Sequence, residues 1–193
     1  MSRISKLFFS SLAGLVLFLS IPALTRADSL TPIFVGTTPI IGGTQFSYNL
    51  QYTAAGGALQ SGDFVTIYDV RGISGLLPAS GFGASVQFLG INPPGVSPTD
   101  DLSIRNVTFT YIGPTIATSQ TFTGFAIDST FSFTQTGTFA DQTHGATGAL
   151  VGATGSVTTP SATSPVPEPA TMLLLGSGLV GIAAKVRKRR KTV

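Results

Sequence analysis

Apolar and polar residues alternate with a period of two over much of the chain. From Gln45 to Tyr52 the residues run Gln-Phe-Ser-Tyr-Asn-Leu-Gln-Tyr. This places Phe46, Tyr48, Leu50 and Tyr52 on one face of a strand and Gln45, Ser47, Asn49 and Gln51 on the other. Ala54-Ala55-Gly56-Gly57 ends that run, and Phe64 to Val70 forms the next. Further strands are expected at Ser85–Leu89, Ile104–Ile112, Gln120–Ile127, Phe131–Thr136 and Ala149–Val157. Gly, Pro, Asn and Asp stand at the breaks, and no helical period of useful length interrupts the pattern. The spacing predicts an all-β ectodomain over residues 28–156: an antiparallel β-sandwich, jelly-roll-like or a partly closed barrel. Abundant Thr and Ser suit the exposed faces of such sheets, and no internal repeat stands out.

Two apolar runs of another kind flank this region. Arg3 and Lys6 precede Leu7–Leu19, a stretch of about 13 residues that is short of the ~20 needed to span a bilayer. Ile21-Pro22 breaks the helix, and Thr25-Arg26-Ala27 offers small residues at the −3 and −1 positions. Residues 1–27 are therefore expected to form a signal helix delivered to the Sec machinery and cut by signal peptidase after Ala27. Ala23 is a second cleavage position, and an uncleaved anchor is the competing reading.

The second run, residues 170–184, follows a linker over 157–169. Pro160, Pro165, Pro167 and Pro169 there disfavour helix and sheet ladders. As a helix, the run covers roughly 22 Å against a hydrocarbon core of ~30 Å, a marginal single transmembrane helix. Lys185, Arg187, Lys188, Arg189, Arg190 and Lys191 then act as a stop-transfer cluster, which places residues 185–193 in the cytoplasm. Both ends agree on an ectodomain outside the inner membrane. Gly176-Ser177-Gly178-Leu179-Val180-Gly181 matches a dinucleotide fingerprint in letters only, since a proline linker rather than a strand precedes it.

Val166-Pro167-Glu168-Pro169, the short Gly/Leu-rich run and the basic tail, in that order, resemble the PEP-CTERM sorting signal over residues 166–191. The resemblance implies recognition of Pro167, Glu168 and Pro169 by an exosortase, a membrane cysteine transpeptidase or protease. It further implies removal of the tail and delivery to the cell surface, the biofilm matrix or the medium. Phe64-Val65-Thr66-Ile67-Tyr68-Asp69-Val70 is similar to a strand of ectodomains that carry this tail. A permanently anchored periplasmic protein with an accidental Pro-Glu-Pro is the alternative.

Charge placement changes the picture that the formal net charge of +3 suggests. Between Asp28 and Pro169 the basic residues are Arg71 and Arg105 alone, whereas all eight Asp and Glu lie there. Such a domain repels phosphate backbones, which argues against a nucleic-acid partner. The absence of cysteine excludes disulfides, thiolate metal sites and a Cys nucleophile. His144, between Thr143 and Gly145, is expected in a solvated loop, and no Gly-x-Ser-x-Gly elbow accompanies it. Asp63, Asp69, Asp100 and Asp101 could supply an acid–base pair or a calcium site, but Asp100-Asp101 after Pro98-Thr99 reads first as a turn or cap. Asn106-Val107-Thr108 matches a glycosylation acceptor but falls within a strand.

The expectation is an exported, non-enzymatic surface or matrix protein with no cofactor and no metal. A module binding exopolysaccharide through Tyr48, Tyr52, Tyr68 and Tyr111 is one alternative, and a secreted hydrolase with paired Asp residues is another.

Overall fold

The computed structural model describes residues 28–163. The expected signal helix, its cleavage site at Ala27, the Pro-Glu-Pro motif, the transmembrane run and the stop-transfer cluster lie outside the described residues. Within them the chain forms nine strands: β1 (Ser29–Ile40), β2 (Gly43–Thr53), β3 (Phe64–Val70), β4 (Ile73–Leu77), β5 (Phe82–Gln87), β6 (Arg105–Tyr111), β7 (Gln120–Ser129), β8 (Phe133–His144) and β9 (Leu150–Ser161). The strands build two antiparallel sheets, ordered β1-β2-β7-β4 and β5-β6-β3-β8-β9. No helix among the described residues is long and apolar enough to cross a membrane.

The period-two pattern is realised most cleanly in β2. There Thr44, Phe46, Tyr48, Leu50 and Tyr52 are buried and the intervening residues are not. One face of each sheet supplies a common core. Phe46, Leu50, Phe125 and Ile127 come from the four-stranded sheet, and Val65, Ile67, Val107 and Phe109 from the five-stranded one. Phe82 sits among Tyr111, Phe122 and Phe125 with ring centroids 4.9–5.1 Å apart in edge-to-face geometry, the arrangement that ring quadrupoles favour.

Strand β3 departs from alternation. All but one of its residues are buried, because its second face is covered as well. The β5–β6 connection, residues 88–104, folds across that face. The Tyr68 hydroxyl donates to the Ile91 carbonyl at 2.6 Å, and Gly90 packs against the Tyr68 ring so closely that a side chain there would overlap it. At the far side, a Cβ on Gly152 of β9 would lie 2.6 Å from Pro93. The polar residues beneath this strap pair with one another. Thr66 and Thr108 hydroxyls are 2.7 Å apart, which removes the cost of burying them unpaired.

The differences from the sequence expectation lie mainly at sheet edges. β1 and β4, the edges of the smaller sheet, were not anticipated, and Pro32 and Pro39 in β1 explain why. An edge strand tolerates proline because half its backbone groups face away from any ladder. The same reason corrects the linker boundary. β9 is an edge strand and runs to Ser161, with Pro160 opposite Thr134, so the sheet absorbs residues 157–161. β8 likewise continues to His144, well past the expected Thr136.

Candidate functional site

His144 is not in a loop. It is the last residue of β8, opposite Leu150, and it also bridges to Ala58. Its Nδ1 lies 2.9 Å from Asp63 Oδ1, and the carboxylate's other oxygen accepts the Gln60 N–H at 2.7 Å. Asp63 is fully buried, and burial raises its carboxyl above the ordinary value against the opposing pull of Gln60 and His144. Two more acids lie nearby. Asp28 accepts N–H groups of Ala55 and Gly57 and the Tyr52 hydroxyl. Asp141 accepts the Leu30 N–H at 2.7 Å while its Oδ1 has no partner. Burial, with a smaller contribution from the Asp63 charge, pushes Asp141 up to about 7. These groups staple β1 and the 54–63 connection to the larger sheet, and no three His, Asp or Glu among the described residues converge as metal ligands.

The carboxylates considered as a pair therefore separate. Asp63 belongs to the His144 pair, whereas Asp69, Asp100 and Asp101 gather at the other end of β3. The turn reading of Asp101 holds, since its Oδ1 accepts both the N–H and the hydroxyl of Ser103. Asp100 accepts the Gly90 N–H and an Asn106 amide proton. Asn106, the nominal glycosylation acceptor, is fully buried and ties this corner together. Its amide donates to the Phe88 carbonyl and to Asp100, and its Oδ1 accepts the Asp69 N–H at 2.8 Å.

That last bond holds an unusual backbone. Asp69 has φ 55°, a conformation that non-glycine residues rarely adopt, and it sits in a bulge between Ile67 and Val70. Its Oδ1 in turn accepts the Asp101 N–H at 2.9 Å. Bulges re-aim the residues that follow them. Beyond this one, Val70 lies opposite Arg105, so Arg71 and Arg105 come to the same end of the β3–β6 pair.

A cavity of about 350 Å³ opens there. The β3–β4 turn contributes Arg71 and Gly72, the start of the strap Phe88, the start of β6 Arg105, and the β7–β8 turn Phe131. The turn is anchored from below. The buried Ser129 hydroxyl donates to the Arg71 carbonyl at 2.8 Å and accepts the Phe131 N–H. Gly72 has φ +66°, and a Cβ there would lie 2.6 Å from Phe131, so conformation and space both require glycine. The Arg105 guanidinium lies 5.5 Å from the Phe88 ring centroid. No described carboxylate comes within salt-bridge distance of either arginine, although Asp69 and Asp101 are close enough to feel the Arg71 charge.

The sequence showed that Arg71 and Arg105 are the only basic residues of this region, but nothing in it brought them together. The four tyrosines go the other way. Tyr48, Tyr52, Tyr68 and Tyr111 are all buried, which removes the aromatic platform on which binding of a polysaccharide through them depended.

No curated protein matches the chain. The PEP-CTERM protein-sorting motif matches residues 165–190, which take in Pro167, Glu168 and Pro169. This implies an exosortase as the processing partner, with export and membrane-anchored sorting toward the cell surface. The chain is a protein that carries a PEP-CTERM sorting domain.

Proposed function

We propose that this chain is an exported, non-enzymatic protein of the cell surface or extracellular matrix, whose β-sandwich ectodomain is released from its membrane tail by an exosortase. The match of the sorting motif to residues 165–190 carries the proposal. Proline at 165, 167 and 169 disfavours the helix and sheet ladders that would shield this stretch from an enzyme in the membrane. The non-catalytic reading of the ectodomain is supported by how its candidate groups are used. His144 is committed to a fully buried carboxylate, and the acids at the other end of β3 hold backbone N–H groups.

Co-expression with an active exosortase, followed by intact-mass measurement of the exported protein, tests the proposal. Loss of the residues beyond the Pro-Glu-Pro motif is expected. A full-length, membrane-bound product would instead make the protein a permanently anchored one.

A further inference from the structure

We propose that the cavity between Arg71 and Arg105 is a binding site for a carboxylate carried on a ring. The observations that lead there are independent of the sorting signal. Residues 28–163 contain two basic side chains besides the single histidine, and both line one cavity although they are 34 positions apart in a chain rich in acids. Neither is spent on a salt bridge to a described residue. A guanidinium presents a planar fork of donors matched to the two oxygens of a carboxylate. Phe131, and Phe88 beneath the Arg105 guanidinium, supply apolar surface beside these forks, which suits the body of a ring. The volume lies at the small end of the range of small-molecule sites.

The local charge selects among anions. Arg71 acts electrostatically on both Asp69 and Asp101, and Asp100 stands beside them, so three acids face the two arginines at this corner. A singly charged carboxylate held by the two guanidiniums meets less repulsion from these acids than a phosphate dianion does. The frame is also preorganised. Ser129 holds the backbone of Arg71, and Asn106 holds Phe88 and the strained Asp69. Strain kept in place by buried hydrogen bonds is a mark of functional corners.

Calorimetric titration of the full chain in detergent tests this with four probes: glucuronate, benzoate, glucose and inorganic phosphate. Saturable binding of glucuronate or benzoate is expected, and their relative affinity tells a sugar ring from an aromatic one. Binding should weaken with added salt and fall about tenfold or more in both Arg71→Gln and Arg105→Gln. These side chains are exposed, so the thermal midpoint should stay near that of the parent protein. Should glutamine at position 71 unsettle the turn, Arg71→Lys keeps the charge but loses the fork, and a several-fold loss of affinity is expected. The proposal is overturned if neither carboxylate binds, if glucose or phosphate binds as tightly, or if the arginine variants keep full affinity.

Discussion

The imidazole Nδ1 of His144 lies 2.9 Å from a carboxylate oxygen of Asp63, 81 positions earlier in the chain. The two residues close the same corner from opposite sides, one at the end of β8 and the other just before β3. Asp63 has no solvent to fall back on. His144→Ala removes the partner and leaves a buried oxygen bare, which costs about 1–3 kcal/mol. Urea denaturation at neutral pH should show the loss, and His144→Gln, which retains an N–H donor, should lose less.

Asp141 gives the domain a defined dependence on pH. Its carboxyl is raised to about 7 in the folded protein from an ordinary 3.8, so the folded state holds the proton more tightly than the unfolded chain. The resulting stabilisation is complete below the unfolded value and is lost as pH rises through the folded one. Asp63 and Asp69 are also raised by burial and act in the same direction, while Asp101, lowered by Ser103, opposes them from an exposed position. The denaturation midpoint should therefore fall between about pH 4 and about pH 7, with a slope from Asp141 of at most about 1.4 kcal/mol per pH unit. Asp141→Asn should flatten the profile. A variant with the parent's slope would show that other groups set it.

Asn106 supports the corner on which the cavity rests. Asn106→Ala removes the partner of the Asp69 N–H, of the Phe88 carbonyl and of Asp100 Oδ1, leaving Asp100 only its bond from Gly90. A loss of about 2–4 kcal/mol is expected from a buried group shared among several bonds. Amide exchange should quicken at Asp69 before it does in β2, which lies in the other sheet.

The strap over β3 depends on one close approach. Gly90→Ala drives a methyl group into the Tyr68 ring and breaks the registry that lets the hydroxyl reach Ile91. A destabilisation of about 1–3 kcal/mol is expected from such overpacking. Limited proteolysis should then cut within residues 88–104 faster than it does in the parent protein. Tyr68→Phe keeps the ring and loses only the hydroxyl, so a cost near 1 kcal/mol is expected.

Glu168→Ala addresses the sorting motif. If an exosortase reads Pro167, Glu168 and Pro169, the variant should accumulate with its tail intact while its parent is shortened, as measured by intact mass. Equal processing of both would move recognition to another part of the match over residues 165–190.

The local order of residues determined which face β2 buries. Phe46, Tyr48, Leu50 and Tyr52 share the buried side of β2 because side chains alternate, and no later contact alters that geometry. Phe64–Val70 likewise stands as a strand where its sequence places one. The sorting motif was legible for a similar reason, since Val166 to Lys191 is one contiguous stretch whose meaning lies in the order of its parts. What alternation could not reveal depends on neighbours distant in sequence. β1 and the end of β9 carry Pro that a strand tolerates chiefly at a sheet edge, and being an edge is a property of the assembled sheet. The continuous burial of β3 comes from a strap that no strand pattern announces. The pairing of His144 with Asp63, and the meeting of Arg71 with Arg105 beyond the Asp69 bulge, were decided by register and by one left-handed residue. Short-range periodicity sets the direction of a side chain, but only the closed fold determines what it faces.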